Sequence, residues 1–384
     1  MQPGQLADAA ALLECAPPDA IALAQPAPRP AALLNFLGLL GPAGEILPAP
    51  GDRAKFGRLL RFAAQLDAVF PMRVPTATGA AFFGARRVHC GGGALAGSGK
   101  ARQTDYAGLA GSLKQAFCAC VGEAAEHDAM FVRRRDSRLS ADGTLPLLDE
   151  GLRAAGSIEA DRILREAGDS LLPAPRSSTG YAAGPTLAEA AMSALLECIE
   201  RHAVSLWFDR QRKPAPLTPA NETAREIMLL RGADATHCRL LRLPHGIACV
   251  PVAAAFSVSA QGRCAVGYGC ALSAEQAALK AVRELCQGEF ALHLEAQSGD
   301  PDSLAFTRRS EMFAQNADLF ETSAHDIAPD LWHSDLPGLC SAIDRRVRFV
   351  NLTVSEASVP VVCALADGFR DIASEIAPGQ TGPL

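Results

Sequence analysis

The sequence predicts a mixed α/β (α+β) fold, in which long helices rich in alanine and glutamate pack on sheets of short strands. The chain has 384 residues, of which 49% are hydrophobic and 20% are charged, so it can bury a large core. Long helical segments alternate along it with short valine-rich segments that are typical of strands. At roughly 100–200 residues per domain, this length allows two or three domains or one large domain.

The predicted elements divide the chain into two parts. Residues 1–85 are rich in alanine, leucine and proline and predict an N-terminal extension or small subdomain, with a helix near 52–70, whereas residues 86–384 form the main domain. A polar loop or hairpin is expected over 133–149. Helices are predicted over 106–133, 187–210 and 274–294, and strands over 238–243, 249–258, 264–268, 347–354 and 360–366.

Charge and composition exclude several classes of function. The net charge of −6 and the aromatic content of 5% argue against a protein that coats nucleic acid or stacks bases. No apolar run approaches the roughly 20 residues that a bilayer demands, and the N-terminus lacks a secretory signal, so we expect a cytoplasmic protein. The twelve cysteines form no CxxC pair, which predicts reduced thiols rather than a zinc site or a disulfide framework.

The three long helices share a pattern: an alanine, an acid seven residues later, and an acid or amide three residues after that. Its members are Ala116, Glu123 and Glu126; Ala190, Glu197 and Glu200; and Ala277, Glu284 and Gln287. The pattern predicts a decayed internal repeat. Chance similarity is the alternative, because helices rich in alanine and glutamate are common.

Acids three residues apart lie on one face of a helix, so each of the first two helices can present two carboxylates to one point. Their neighbours are apolar or small, which predicts largely buried helices. Buried like charges require a cation, and Mg²⁺ suits oxygen ligands and bridges carboxylates to phosphates. The alternative is that each acid pairs with a nearby arginine or lysine, or faces solvent.

Other catalytic motifs are poorly supported. The glycine-rich stretch 91–100 is not a P-loop, because positions 94 and 101 are alanine where GxxxxGK[ST] needs glycine and a hydroxyl. Such a turn can still place backbone N–H groups near phosphate, and a flexible hairpin is the alternative. There is no nucleophile elbow and no Cys/His signature. We expect His127 and His202 in the core or at the surface.

The segment 178–201, STGYAAGPTLAEAAMSALLECIER, closely resembles the signature of the YcaO superfamily, and most of all its azoline-forming (thiazole/oxazole-modified microcin) branch. That branch carries SNGxAxGNTxxEA followed by ExxERDA. Residues 99–126 look like the family's earlier GGKG…EAxER element, and residues 266–287 look like its third element, which ends in ExxQ. The similarity covers about residues 90–370 and implies a YcaO-like fold.

The resemblance implies ATP and Mg²⁺ as cofactors and a ribosomally made precursor peptide as substrate. In the cyclodehydratases a Cys, Ser or Thr side chain attacks the preceding carbonyl, ATP phosphorylates the oxyanion, and phosphate leaves to give an azoline. Implied partners are a leader-binding protein, a flavin dehydrogenase that oxidises azolines, and a second copy or a hetero-complex. Thioamide or amidine formation and a non-catalytic scaffold subunit are the alternatives.

Carried over position by position, the resemblance implies that Glu123, Glu126 and Glu197 bind the metal. The remaining residues implied at the nucleotide site are Gly180, Gly184, Glu189, Ser193, Glu200, Arg201, Arg210, Glu284 and Gln287. The glycines would shape a turn and an arginine would contact phosphate. Ala119 and His127 replace the serine and arginine of the family's first motif, and a Pro-x-Pro-x-Pro tail is missing, which keeps the scaffold alternative open.

Overall fold

A computed structural model describes residues 1–15, 29–41, 45–89, 102–132, 136–165, 178–247, 250–298, 304–323, 335–343, 345–355 and 357–371. The helices are α1 (Pro3–Cys15), α2 (Arg29–Phe36), α3 (Pro50–Ala63), α4 (Leu113–Ala129), α5 (Leu187–Phe208), α6 (Asn221–Arg231), α7 (Ala274–Ser298), α8 (Ala305–Gln315) and α9 (Leu336–Ala342). The strands are β1 (Ala68–Met72), β2 (Ala81–His89), β3 (Arg102–Ala110), β4 (Thr144–Leu148), β5 (Ala154–Glu159), β6 (Tyr181–Ala183), β7 (Ala215–Pro216), β8 (Arg239–Arg242), β9 (Val252–Val258), β10 (Cys264–Cys270), β11 (Val347–Asn351) and β12 (Val361–Ala366).

The described strands form three antiparallel sheets. Their orders are β1-β2-β3, β10-β9-β8-β7 and β5-β4-β11-β12-β6. The strands β3, β10 and β6, each of which lies at the edge of its sheet, are followed directly by the long helices α4, α7 and α5. This architecture confirms the predicted mixed α/β fold.

Helix α5 lies in the interior, in a core cluster that includes residues of both the four-stranded and the five-stranded sheet. It begins at a capping box: the hydroxyl of Thr186 accepts a hydrogen bond from the backbone N–H of Glu189 and donates to its carboxylate. Small and apolar residues then recur at helical spacing and bury one side of the helix, among them Ala190, Ala194 and Ile199. The predicted span 187–210 is confirmed to within two residues.

The three helix–strand units are arranged in a ring. Helix α4 packs on β3 and also on β6, α5 packs on β6 and also on β10, and α7 packs on β10 and also on β3. Each helix therefore contacts the strand of its own unit and the strand of the next. This cyclic pattern supports the predicted internal repeat.

Several predicted boundaries were wrong. Tyr106 was expected to begin a helix, but it lies in β3, whose pairing with β2 along nine residues outweighs local helix propensity. The helix predicted near 52–70 ends at Ala63, and β1 follows it. A hairpin, one of the two alternatives predicted for 133–149, is present, but it extends past 149 because β4 pairs with β5. The glycine-rich stretch 91–100 lies outside the described residues.

Strand β1 comes from the predicted N-terminal part and pairs with β2, which crosses the predicted boundary at residues 85 and 86. The two-part division remains a prediction. None of the described helices is long and apolar enough to cross a membrane. Nine cysteines of the described ranges are free thiols, and seven of these nine are buried.

Candidate active site

Five carboxylates converge where the three long helices meet the three edge strands. Glu123 and Glu126 come from α4, Glu197 and Glu200 from α5, and Glu284 from α7. Electrostatic interactions connect Glu126 with Glu123 and Glu197, Glu123 with Glu284, and Glu284 with Glu200. The metal-binding acids predicted from the sequence are therefore brought together.

In two of the three helix–strand units, the first acid of the helix accepts a hydrogen bond from the strand that precedes this helix. Glu123 accepts a hydrogen bond from the backbone N–H of Ala107 at 3.0 Å, and Glu284 accepts one from that of Tyr268 at 2.8 Å. Donor and acceptor are sixteen residues apart in both cases. The edge strands β3 and β10 thus orient one carboxylate each through N–H groups that no neighbouring strand uses.

The second acid of α4 and that of α5 each accept a hydrogen bond from the strand of the next unit. Glu126 accepts a hydrogen bond from the N–H of Ala183 in β6 at 2.7 Å, and Glu200 accepts one from that of Cys270 in β10 at 2.9 Å. Each donor lies fourteen residues before the first acid of its own unit. By sequence spacing, the corresponding positions in the third unit are Gln287 and Leu109, and α7 contacts β3, the strand that contains Leu109. A carboxylate fixed through one oxygen keeps the other oriented for a ligand.

Two cations pair with this cluster. Arg201 lies between Glu197 and Glu200, with Nη–Oε distances of 3.4 and 3.6 Å, and the Nζ of Lys280 lies 3.4 Å from Glu200. Among the described residues, Glu123, Glu126 and Glu284 form no ion pair. The alternative that every acid has its own basic partner is therefore not what the structure shows.

Four of the five clustered glutamates have raised pKa values. Burial raises the pKa of Glu126 to about 8, and the nearby carboxylates of Glu197 and Glu123 add to the rise against the hydrogen bond from Ala183. Burial likewise raises the pKa of Glu123 and of Glu197 to about 7, although solvent reaches the Glu123 side chain. The pKa of Glu284 is raised for the same reason. A bound divalent cation would stabilise the charged forms of these carboxylates and so lower their pKa values.

The donor set suits Mg²⁺ in part. Carboxylate oxygens are its preferred protein ligands, and it usually keeps waters and takes substrate phosphates as further ligands. No group of three or more His, Cys, Asp or Glu side chains in the described ranges is close enough together to hold an ion alone. The cluster therefore fits a metal that is shared with phosphate oxygens better than one enclosed entirely by protein.

A cavity of about 620 Å³ lies beside the cluster, between α3, α4 and the start of α5. Its wall includes Ala183, which holds Glu126, and Gly122, which precedes Glu123. Lys55 and Lys114 lie in the same wall, where Lys55 forms an ion pair with Asp52 at 3.0 Å. The volume lies within the range of small-molecule pockets, and helix α3 shows that the N-terminal part contributes to it.

The two glycines predicted at the site lie on either side of β6, Gly180 before it and Gly184 after it. Gly180 has a positive φ of 82°, and its carbonyl accepts a hydrogen bond from the N–H of Ala364. A Cβ on Gly184 would lie 2.4 Å from the backbone nitrogen of Ala190, so the turn can approach α5 closely only with glycine.

Glu189, Ser193 and Glu197 occur at four-residue intervals and so share one face of α5. Glu189 belongs to the cap of the helix and interacts electrostatically with Lys55 at the cavity. Ser193 is exposed one turn before Glu197. Gln287 is half-buried and follows Glu284 by three residues on α7.

Arg210 does not belong to the cluster. It lies beyond the end of α5, thirteen residues after Glu197, which is about 20 Å along a helix. Its guanidinium group donates to Asp318 at 2.7 Å and to Asn316 at 2.8 Å on the surface. Of the two arginines predicted as possible phosphate contacts, Arg201 lies among the carboxylates, whereas Arg210 lies beyond the end of the helix and pairs with Asp318 instead.

The two histidines lie next to the second acid of their helices and take part in aromatic contacts. The Nδ1 of His127 is 2.9 Å from the hydroxyl of Tyr106, and its ring meets that of Phe131 edge-on. His202 is buried, stacks on Phe369 at 4.9 Å and accepts a hydrogen bond from the N–H of Arg370. Both therefore have structural partners, as expected.

Sequence reasoning missed Lys280. The signal was its position four residues before Glu284, which places both on one face of α7. A lysine that neighbours an acid at this spacing is also typical of an exposed helix pair, so the spacing alone did not distinguish the two roles.

A family model described as YcaO cyclodehydratase, ATP- and Mg²⁺-binding, matches residues 163–370, which is more than half of the chain. No curated protein sequence matches it.

Solved structures share the fold. The YcaO protein from Methanopyrus kandleri, bound with AMPPCP and Mg²⁺, has a TM-score of 0.60 and 22% identity over 84% of this chain and 90% of that one. A heterocyclase in complex with substrate and cofactor has a TM-score of 0.58 and 15% identity, over 80% of this chain but only 50% of the heterocyclase. The E. coli microcin synthetase McbBCD complex with pro-MccB17 bound has a TM-score of 0.55 and 15% identity, over 78% and 86% of the two chains.

The TM-scores show that these proteins share the fold of this chain. The match to the family model also identifies the family. It covers the segment in which the sequence resembles the YcaO signature and reaches across β6, α5, β10 and α7. We conclude that the chain belongs to the YcaO family, whose cofactors are ATP and Mg²⁺.

Proposed function

We propose that this protein uses ATP and Mg²⁺ to activate a backbone amide of a ribosomally made precursor peptide and cyclodehydrates Cys, Ser or Thr residues to azolines. The observation that carries the proposal is the cluster of five carboxylates from three helices, with which only two cations of the described residues pair. Phosphoryl transfer needs positioned phosphates and neutralised charge more than a protein nucleophile. This requirement agrees with a site that is rich in acids and lacks a catalytic triad.

In the proposed reaction the substrate side chain forms a bond to the preceding carbonyl carbon, and the carbonyl oxygen accepts the terminal phosphoryl group of ATP. Phosphate then leaves with that oxygen, and loss of the amide proton gives the C=N bond of the azoline. Bound ATP supplies the phosphoryl group that makes the oxygen a leaving group. The side-chain proton and the amide proton are both lost, ADP leaves when the phosphoryl group is transferred, and the carbonyl oxygen departs in the phosphate, so the peptide loses the elements of one water.

The chain's own residues would hold the reactants. Glu123, Glu126 and Glu197 would bind Mg²⁺, and the backbone N–H groups of β3 and β6 would keep the first two of them oriented. Arg201 and Lys280 would contact phosphate oxygens, because both already lie among the carboxylates. The lysine-lined cavity beside α3 would take the rest of the nucleotide.

The family of the chain allows two other roles. Thioamide or amidine formation would use the same nucleotide site with another nucleophile. A scaffold role is favoured by one observation: His127 stands where the family motif has arginine, and its ring is occupied by Tyr106 and Phe131. A leader-binding partner and a flavin dehydrogenase are part of the proposal for the catalytic role.

The test is a reconstituted reaction of the full chain with the precursor encoded beside its gene, the leader-binding partner, ATP and Mg²⁺. We expect phosphate release and a product that has lost one water per ring. The Glu197→Gln variant should abolish both, and the matched Glu150→Gln variant, at an exposed position, should change neither. Replacement of oxygen by sulphur would identify thioamide chemistry, and the absence of nucleotide binding would leave the scaffold role.

A further inference from the structure

A second cavity, of about 250 Å³, adjoins the cavity of about 620 Å³ beside the carboxylate cluster. Arg58 of α3 and Val359, just before β12, lie in the walls of both. The smaller cavity lies between α3, the second half of α4 and the segment from Leu352 to Val361. Because the two cavities share wall residues, two ligands that occupy them can touch each other.

Both cavities border Glu126, one of the proposed metal ligands. On the surface of a helix, the neighbours of a residue are those three or four positions away. Gly122, four residues before Glu126, lies in the wall of the larger cavity, and Ala129, three residues after it, lies in the wall of the smaller one. Ala183, whose N–H Glu126 accepts, also lines the larger cavity, and its partner across the sheet, Val361, lines the smaller one. A ligand in either cavity therefore lies beside the same carboxylate.

The smaller cavity suits a short stretch of uncharged peptide. Its volume lies below the roughly 300–1,000 Å³ of small-molecule pockets, so it can take one or two side chains but not a whole nucleotide. Two of its charged wall residues already have ion-pair partners, because Arg61 pairs with Glu14 and Asp128 pairs with Arg87. Its apolar wall includes Phe62, Ala125, Ala129, Leu352, Val359 and Val361.

Arg58, at the boundary between the two cavities, has no carboxylate partner among the described residues. Its Nη2 donates to the carbonyl of Pro185 at 2.8 Å, in the turn that leads into α5. A guanidinium group has several N–H donors, and this carbonyl uses one of them. The side chain is partly exposed, so the remaining donors are accessible to a ligand.

We propose that the smaller cavity binds the precursor peptide next to the residue that is modified, while the nucleotide occupies the larger cavity. The inference rests on the proposed function, because it takes a peptide to be the second reactant. Small or apolar side chains of the peptide would lie against Phe62 and Val361, and Arg58 would donate to a backbone carbonyl of the same segment. Helix α3, which lies outside the family match at residues 163–370, would then take part in recognition of the peptide.

The test uses the full chain with the precursor encoded beside its gene, the leader-binding partner, ATP and Mg²⁺. Ala357→Trp introduces a bulky side chain at an exposed position in the wall of the smaller cavity. We expect the KM for the precursor to rise about tenfold, while the KM for ATP and the affinity for AMPPCP stay within about twofold of the native values. Arg58→Gln should also raise the KM for the precursor, and Arg58→Lys should restore part of the loss. Ala141→Trp, at an exposed turn outside both cavities, is the matched control and should leave every constant unchanged.

A second measurement does not depend on turnover. Benzoylphenylalanine introduced at Ala357 should crosslink to the precursor on irradiation with AMPPCP and Mg²⁺ present, and at Ala141 it should not. A native KM for the precursor in Ala357→Trp, or no crosslink at Ala357, overturns the proposal. Weaker AMPPCP binding by Ala357→Trp, at an unchanged unfolding midpoint, would assign the smaller cavity to the nucleotide and also overturn it. A crosslink at Ala357 without azoline formation by the native protein would keep this peptide site and reject the proposed function.

Discussion

Replacing Glu126 by glutamine should stabilise the protein when no ligand is bound. Glutamine keeps an oxygen that can accept from the N–H of Ala183, and it removes the charge. Burial raises the pKa of Glu126 from 4.5 to about 8. The stability that its protonated form contributes is therefore complete below pH 4.5 and is lost as the pH rises to 8.

The magnitude follows from the two pKa values. Each pH unit between them removes about 1.4 kcal/mol from the free energy of unfolding, so up to about 3 kcal/mol is lost by pH 7. The half-buried position of the side chain makes this an upper bound. The Glu126→Gln variant should regain most of the loss, and its advantage over the native protein should grow from pH 5 to pH 8.

Thermal unfolding without nucleotide, at pH 5, 7 and 8, measures this advantage. The midpoint of the variant should exceed that of the native protein by several degrees at pH 8 and by little at pH 5. The exposed Glu150→Gln variant is the control and should show no such trend. A Glu126→Gln variant that is less stable than the native protein at pH 8 would refute the view that this carboxylate lacks a cation.

Three further predictions concern the same site. Arg201→Met should lower the free energy of unfolding by about 3 kcal/mol in denaturant titrations, because it leaves the buried Glu200 without its arginine; a loss below 1 kcal/mol would contradict the pairing. Gly184→Ala should destabilise by about 2 kcal/mol or more, since its Cβ would meet Ala190, and an unchanged unfolding midpoint would show that the turn can move. Binding of Mg²⁺ with ATP at pH 7 should release protons, because Glu123 and Glu126 titrate at about 7 and 8; calorimetry in buffers of different ionisation enthalpy measures the release, and equal heats would exclude it.

Local signals in the sequence were sufficient to predict the span of α5 and the shared face of its acids. The capping box at Thr186 and the apolar spacing that follows define the helix, and i, i+3 spacing places Glu197 and Glu200 on one side. The contacts that join α5 to the other two units are made by residues far apart in the sequence, so local signals do not predict them. The N–H groups that hold Glu126 and Glu200 come from strands 57 and 70 residues away, and no periodicity in the helices identifies them.

The errors have the same origin. Tyr106 lies in a strand because β2 pairs with it, although its surroundings favour a helix. Arg210 lies outside the site because the helix ends at Phe208 and the backbone of Arg210 takes a positive φ of 57°. Lys280 joins the site because the ring of units brings its Nζ within 3.4 Å of Glu200 on α5, a relation that only the tertiary structure contains.

Calorimetric titration with AMPPCP, with and without Mg²⁺, tests most directly whether acids from separate helices bind one metal–nucleotide complex. We expect binding to require Mg²⁺ and to be lost in the single variants Glu123→Gln, Glu126→Gln and Glu197→Gln, while Glu150→Gln binds as the native protein does. Binding of equal strength without Mg²⁺, or in all three variants, would show that these acids do not hold a shared metal–nucleotide complex.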